Sequence, residues 1–131
     1  MIPSPAIAQE AARRATLEAF AQAWAARDID GLLSLMTEAC IYGASVGPEP
    51  GRTYRGQSEV RAGILAMLSH DRADRSETGN LVIAGDHAFW EWRCTSRDED
   101  GGDVRTHGCD LFTFAGNKIS AKQAFRKVLS Q

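Results

Sequence analysis

The fold of this chain is decided by one stretch, which reads HAFWEWRCTSR at residues 87–97, DEDGGD at residues 98–103 and VRTHGCDLFTF at residues 104–114. The first and last segments are rich in aromatic and β-branched residues, which favour strands. The segment between them is rich in glycine and acidic residues, which is typical of a hairpin loop. The stretch therefore predicts an antiparallel hairpin.

Turn signals extend this hairpin in both directions. Gly85 and Asp86 precede it, and residues 115–117 (Ala-Gly-Asn) follow it. Beyond these turns, the apolar content predicts strands over residues 81–84 and 118–128, whereas residues 71–80 are polar and predict a loop leading into a strand edge. The second half of the chain is therefore predicted to be a four-stranded antiparallel meander.

The first half is predicted to be mostly helical, because its apolar residues recur three or four positions apart. A short strand over residues 40–46 and a loop over residues 47–51 interrupt the helices. The predicted helices cover residues 8–26, residues 31–36 after an N-cap at Asp28 or Asp30, and a segment that begins at Gln57 or Ser58. The predicted fold class is α+β, with three helices packed on one face of a curved, mostly antiparallel sheet. Residues 1–8 are expected to form a loose arm, and residues 9–131 a single domain.

Composition excludes several classes of protein. The chain has 131 residues, 44% of them hydrophobic, and a formal net charge of −2. A mildly acidic chain lacks the basic face that nucleic-acid binding requires. Its apolar runs are too short to span a membrane, and its first residues do not resemble a secretory leader. Three cysteines at residues 40, 94 and 109 match no zinc pattern and predict reduced thiols in the cytoplasm.

No metal or cofactor site is predicted. The histidines at residues 70, 87 and 107 do not have metal-ligand spacing. The glycines of residues 47–56 are interleaved with prolines and do not follow a βαβ strand, so they predict no phosphate-binding loop. We therefore expect a protein without a cofactor.

Several stretches resemble, in their order and spacing, a SnoaL-like member of the nuclear transport factor two superfamily, which also contains ketosteroid isomerase. These stretches lie at residues 24–36, 42–51, 54–56, 109–114 and 116–119. The resemblance implies a cone-shaped α+β barrel with an apolar pocket between the sheet and the helices. It also implies a homodimer and a small hydrophobic molecule as the ligand.

The resemblance also implies a set of site residues. Asp110 stands where the isomerase places its oxyanion-side carboxylic acid, and burial there would raise its pKa so that it could act as acid or base. The catalytic candidates are Asp110, Glu91, Arg93, Lys122 and Tyr42. The residues expected to line the pocket are Phe20, Trp24, Ile64, Leu68, Phe89 and Phe112. A structural ion pair of Asp110 with Arg93 or Lys122 is the alternative interpretation.

Two departures from the isomerase pattern change the predicted activity. Ala44 replaces the general base of the isomerase, and Phe20 replaces its phenol donor. Loss of a general base costs orders of magnitude in rate, so ketosteroid isomerisation is excluded. The predicted function is a cofactor-independent isomerase, cyclase or lyase that uses Asp110. The alternative is a non-catalytic binding or scaffold protein, and a minor alternative is epoxide-hydrolase-like water activation by Glu91, Arg93 and Asp110.

Alternation along the strand containing residues 87–97 assigns Trp90 and Trp92 to the face opposite Glu91 and Arg93. Two tryptophans on an open sheet face would form a large apolar patch. We therefore expect a dimer interface at Trp90, Trp92 and Phe125, with coverage by the N-terminal arm as the alternative.

Overall fold

The computed structural model describes residues 4–46, 51–70 and 75–129. Helices and strands follow one another in the order α1 (Pro5–Ala25), α2 (Ile29–Ser34), β1 (Met36–Gly43), β2 (Thr53–Arg55), α3 (Gly56–His70), β3 (Arg75–Ala84), β4 (His87–Arg97), β5 (Asp103–Ala115) and β6 (Lys118–Leu129).

The strands form one curved, unclosed sheet in the order β2-β1-β6-β5-β4-β3. The predicted meander is its larger part, since β3, β4, β5 and β6 pair antiparallel in sequence order. β1 adds parallel to β6, and β2 adds antiparallel to β1. The predicted α+β class with a mostly antiparallel sheet is confirmed.

Capping residues determine where the first two helices begin. The hydroxyl of Ser4 accepts a 3.3 Å hydrogen bond from the Ile7 amide, and a proline occupies the first turn of α1. Residues 5–8 are therefore helical, which corrects that part of the expected arm; residues 1–3 lie outside the described residues. For α2, a carboxylate oxygen of Asp28 accepts a 3.0 Å hydrogen bond from the Gly31 amide, so Asp28 is the N-cap.

The sheet extends further than predicted at both of its edges, which are formed by β3 and β2. β3 begins at Arg75, although residues 71–80 were expected to form a loop; residues 71–74 lie outside the described residues. The polar residues that suggested a loop, such as Thr78 and Asn80, lie on an exposed edge strand, where polar side chains face water. β2 was not predicted, and most of the expected loop over residues 47–51 lies outside the described residues.

The hydrophobic core lies between the helices and the concave face of the sheet, here called the inner face. Its most buried large side chains come from α1, α2, α3, β1, β5 and β6, and include Leu17, Leu32, Ile64, Tyr42, Phe112 and Ile119. The opposite face, here called the outer face, carries no described helix and exposes Val82, Phe89 and Phe125. The sheet therefore has one buried side and one open side.

Candidate active site

Strand register determines which side chains of β4 and β5 share a face. Residues directly opposite one another in an antiparallel pair point to the same side. Asp110 is opposite Trp90, and Gly108 is opposite Trp92. The same register places the buried Phe112 opposite the buried Ala88. Asp110 therefore lies on the inner face together with both tryptophans.

Asp110 makes two polar contacts on this face. Its Oδ1 accepts a 3.1 Å hydrogen bond from the indole nitrogen of Trp92. Its Oδ2 lies 3.8 Å from Nζ of Lys122, and the two side chains are only 16% and 7% exposed. Each of the two carboxylate oxygens of Asp110 therefore faces a donor group of the inner face, one neutral and one cationic.

Lys122 comes from β6, where it pairs with Phe112 on one side and Tyr42 on the other. Its ammonium lies against three aromatic rings. Nζ is 3.8 Å from the ring centroid of Trp24, 5.2 Å from that of Tyr42 and 5.6 Å from that of Phe20. The faces of these rings attract a cation, and Asp110 supplies the opposing charge. The ammonium of Lys122 is therefore held at a defined position among aromatic side chains.

Gly108 makes room for Trp92. A Cβ at Gly108 would lie 2.0 Å from Cζ2 of the indole, which is far too close for a side chain. A glycine within a strand often marks such a close approach. The missing side chain lets the indole lie over β5, where its nitrogen reaches the carboxylate of Asp110.

The structure separates the predicted catalytic set. Asp110, Lys122 and Tyr42 face the inner side, but Glu91 pairs with Cys109 and Arg93 pairs with His107, so both lie on the outer face. Their predicted place beside Asp110 is therefore wrong. The two carboxylates and the arginine of the epoxide-hydrolase-like alternative do not come together.

The prediction for the dimer face is also corrected. Trp90 and Trp92 are half-buried on the inner face, whereas Phe125 pairs with Cys109 and lies exposed on the outer face. Phe89, which was expected to line the pocket, is exposed on the outer face as well. The physical reason is the register of the β4–β5 hairpin, which differs by one residue from the predicted register.

The other expected pocket residues lie on the inner side. Phe20, Ile64, Leu68 and Phe112 are buried in the core, and Trp24 packs against it. Phe20 contacts both Trp24 and Phe112 through its ring. Sequence reasoning missed Trp92 as a partner of Asp110, although Gly108 in the middle of an otherwise bulky strand was a signal that could have identified it.

Burial affects two of the three free thiols. The pKa of Cys40 is raised from its ordinary value of 9.0 mainly because the thiol is buried. The pKa of Cys109 is also raised, first by burial and then by the negative charges of Asp110 and Glu91. Both thiols are therefore protonated at neutral pH and poor nucleophiles.

Two further findings concern the described residues as a whole. Among residues 4–46, 51–70 and 75–129, no cluster of three histidine, cysteine or acidic side chains could hold a metal ion. Within the same part of the chain, no helix has the length and apolar character needed to cross a membrane.

The curved, mostly antiparallel sheet with helices on one face is the fold of the nuclear transport factor two-like superfamily. Within it, the family model of the SnoaL-like domain matches residues 17–122, so the chain belongs to the SnoaL-like domain family. No curated protein matches the chain.

Solved structures share this fold at low sequence identity. A putative isomerase from Bacillus subtilis is 13% identical with a TM-score of 0.74, over 91% of this chain and 88% of that one. A nuclear transport factor two-like protein of unknown function from Mesorhizobium loti is 22% identical with a TM-score of 0.71, over 88% and 91%. SalBIII, an epoxide hydrolase/cyclase-like enzyme in pyran ring formation in polyether salinomycin, is 18% identical with a TM-score of 0.72, over 90% and 92%.

Proposed function

We propose that this protein binds a small hydrophobic carbonyl compound and catalyses proton transfer on it without a cofactor, as an isomerase, cyclase or lyase. Asp110 takes the proton from carbon and returns it. Lys122 stabilises the negative charge that develops on the carbonyl oxygen. The observation that carries the proposal is the 3.8 Å approach of Nζ of Lys122 to Oδ2 of Asp110 within an aromatic surround.

The chemistry of the two groups supports these roles. Enolisation removes a proton from carbon while charge accumulates on the neighbouring oxygen, so it needs a base and an electrophile a few ångströms apart. Asp110 has acceptor oxygens, and Lys122 has only donors. Trp92 holds the carboxylate through a 3.1 Å hydrogen bond, which fixes the direction of its oxygens. The putative isomerase and the cyclase-like enzyme that share the fold support this reaction class.

The same site argues against a ketosteroid isomerase. Ala44 and Phe20, which stand in the positions of the isomerase base and phenol, are both buried and have no titratable group. Tyr42 is buried in the same layer and contacts Lys122 through its ring. In this chain, the proton-transfer role therefore falls to Asp110.

Deuterium exchange tests the proposal without knowledge of the natural substrate. The probe is 2-tetralone in D2O, with loss of its α-proton signal followed by NMR. We expect the protein to accelerate exchange, and Asp110→Asn to slow it by about 10²-fold or more. Lys122→Met should slow it by about 10²-fold, the scale of losing one oxyanion donor. Glu38→Gln, which removes an exposed carboxylate on β1, is the matched control and should leave the rate unchanged.

Non-catalytic binding is the second candidate. It is favoured by the buried, unreactive Ala44 and Phe20, and by the neutralisation of Asp110 by Lys122. Under this alternative, equilibrium dialysis would detect bound 2-tetralone, yet wild type and Asp110→Asn would exchange its α-proton at the same rate as buffer. That result would disprove the catalytic proposal and leave the binding function.

We also propose a homodimer formed through the outer face. Three apolar side chains on that face, Val82, Phe89 and Phe125, are about half exposed, and exposed aromatic residues are favoured anchors of interfaces. Light scattering should give twice the chain mass for wild type, and Phe89→Ser combined with Phe125→Ser should give a monomer. Ile7→Ser, at an exposed position on α1, is the control. The three free thiols support a reducing, cytoplasmic location.

A further inference from the structure

The amine of Lys122 has surroundings that the other two lysines of the chain do not share. Lys122 is 5% exposed, whereas Lys118 and Lys127 are exposed. Its Nζ lies 3.8 Å from a carboxylate oxygen of Asp110 and 3.8 Å from the ring centroid of Trp24. Desolvated lysines are the ones that form Schiff bases with carbonyl compounds. The inner face therefore holds a candidate nucleophile.

Asp110 is placed to take a proton from this ammonium. Nζ of Lys122 is 3.8 Å from Oδ2 of Asp110, and the two side chains are only 7% and 16% exposed. Because burial disfavours charged groups, transfer of one proton from Nζ to Oδ2 removes two charges that have lost most of their hydration. The hydrogen bond from Trp92 to Oδ1 keeps the carboxyl group in place during this transfer. The neutral amine has a lone pair that attacks a carbonyl carbon.

The aromatic rings around Nζ favour the product of such an attack. An iminium carries its positive charge at the lysine nitrogen. The ring centroids of Trp24, Tyr42 and Phe20 lie 3.8, 5.2 and 5.6 Å from that position. The faces of these rings attract an iminium as they attract an ammonium, because both are cations. Burial also limits the access of water, which hydrolyses an iminium.

We propose that Lys122 forms a reversible iminium with a small hydrophobic aldehyde, so that the site captures aldehydes covalently. This inference rests on the site of the proposed function, but not on the removal of a proton from carbon. An aldehyde suits the site better than a ketone, because its carbonyl carbon carries only one carbon substituent and little of the Lys122 side chain is exposed.

The capture proceeds in balanced steps. Asp110 takes one proton from the ammonium of Lys122, and the lone pair of Nζ forms a bond to the carbonyl carbon while the carbonyl π electrons move to oxygen. A second proton passes from nitrogen to this oxygen and gives a carbinolamine. Asp110 then returns its proton to the hydroxyl group, the C–O bond breaks, water leaves, and the nitrogen lone pair forms the C=N bond. The net charge of the site is the same before and after the reaction.

Reductive trapping with benzaldehyde tests this proposal. Benzaldehyde has no α-hydrogen, so it forms an iminium but does not undergo the proposed proton transfer. Sodium cyanoborohydride reduces the iminium to a stable benzylamine, and mass spectrometry of peptides locates the benzyl group. We expect folded wild type to carry at least about tenfold more label on Lys122 than on the exposed Lys118. In urea, where the environment of Lys122 is lost, the two lysines should be labelled alike.

Two variants define the roles of the neighbouring groups. Asp110→Asn should lower the labelling of Lys122 by about tenfold or more, because the amine loses its base, while Lys118 in the same sample serves as the internal reference. Lys118→Arg is the matched control, at the first residue of β6, and should leave the labelling of Lys122 unchanged.

Equal labelling of Lys122 and Lys118 in the folded protein would overturn the proposal, and so would the absence of label on Lys122. The result is separable from the proposed proton transfer. Labelled Lys122 without accelerated exchange of 2-tetralone would support aldehyde capture and disprove the proton transfer. Accelerated exchange without labelled Lys122 would disprove only the capture.

Discussion

The indole nitrogen of Trp92 reaches Oδ1 of Asp110 at 3.1 Å because the residue opposite Trp92 is a glycine, Gly108. The six-membered ring of the indole occupies the volume in which a Cβ of residue 108 would lie. One missing side chain thus positions the donor that orients the candidate catalytic carboxylate. The packing of Trp92 on Gly108 can be tested by adding a single methyl group at residue 108.

Gly108→Ala should therefore destabilise the protein. Alanine in a strand would otherwise be favourable, since it restricts the unfolded chain. Here the methyl group displaces the indole and breaks its hydrogen bond, so we expect a loss of about 1–3 kcal/mol in the free energy of unfolding, measured in urea. The resonance of the Trp92 indole proton should shift as well. Arg105→Ala, an exposed position on the same strand, should stay within about 0.5 kcal/mol of wild type; a stabilised Gly108→Ala would contradict the packing argument.

Asp110 and Lys122 should be energetically coupled. Removing one member of a buried ion pair leaves the other charge without its counter-charge, which costs more than removing both. We expect Lys122→Met and Asp110→Leu each to destabilise by about 2 kcal/mol, and the double variant to lose less than the sum by about 1 kcal/mol or more. A double-mutant cycle from urea unfolding measures this difference. Strict additivity would mean that the 3.8 Å approach contributes nothing to stability.

Arg13 should be essential for attaching α1 to the sheet. Its Nε donates to the Gly116 carbonyl at 3.0 Å, and one terminal nitrogen donates to the Gly85 carbonyl at 2.7 Å. Only 3% of the residue is exposed, and its guanidinium lies over the ring of Phe114. One side chain thus joins the two turns that connect β3 to β4 and β5 to β6.

We expect Arg13→Met to cost about 3 kcal/mol in unfolding free energy, because two turn carbonyls lose a charged donor that is itself almost completely buried. Arg13→Lys should recover little of this, since an ammonium cannot reach both carbonyls with the planar geometry of a guanidinium. Asp86→Asn is the control: its carboxylate contacts Arg13 at 3.1 Å but is 69% exposed, so its loss should cost less than about 1 kcal/mol. A large effect of Asp86→Asn with a small effect of Arg13→Met would reverse this interpretation.

The β4–β5 loop should depend on Asp98. One oxygen of its carboxylate accepts hydrogen bonds from the amides of Asp100 and Gly102 at 2.9 and 2.7 Å. The backbone of Asp98 also exchanges hydrogen bonds with Gly102 and Gly101. We expect Asp98→Ala to destabilise by about 1 kcal/mol and to speed amide exchange of Gly102, whereas Asp100→Ala should do neither. Equal effects of the two variants would mean that the negative charge of the side chains, rather than these hydrogen bonds, stabilises the loop.

This loop also explains which part of the site could be predicted. A six-residue loop over residues 98–103 would place Arg97 opposite Val104, and Glu91 would then share a face with Asp110. The observed loop is one residue shorter and pairs Arg97 with Asp103, so Trp92 rather than Glu91 shares that face. Composition identifies such a loop but does not determine its length, which is set by the hydrogen bonds of Asp98. A difference of one residue in the length of this loop therefore exchanged the side chains that were assigned to the two faces of β4.

Other features of the fold could be predicted because they depend on residues that are close together in the sequence. The periodicity of apolar residues predicted α1, and the N-cap at Asp28 was one of two alternatives for α2. Asp110 and Lys122 lie on one face, as predicted, although the β5–β6 turn is one residue shorter than predicted, because a register shift between Thr113 and Phe114 restores the alternation. The role of Arg13 could not be predicted, since nothing in a helical pattern shows that two turn carbonyls distant in the sequence will lie against it. Long-range contacts of this kind depend on the assembled fold.

Stability should fall at alkaline pH in part through Cys40. This residue is completely buried, and burial raises the pKa of its thiol above the ordinary value of 9.0. The folded protein therefore retains the thiol proton at pH values where the unfolded chain releases it. The resulting stability is fully present below pH 9.0 and is lost as pH rises through the higher pKa of the folded state.

Urea unfolding at about pH 7 and about pH 10 measures this contribution in wild type and Cys40→Ala. At the lower pH, Cys40→Ala should be less stable, because it leaves a small cavity. Between the two pH values, wild type should lose more unfolding free energy than Cys40→Ala, so the gap between them should narrow. Cys109→Ala should reduce the pH dependence as well, since burial and the charges of Asp110 and Glu91 raise the pKa of Cys109. A constant gap between wild type and Cys40→Ala would mean that the Cys40 thiol titrates alike in the folded and unfolded chains.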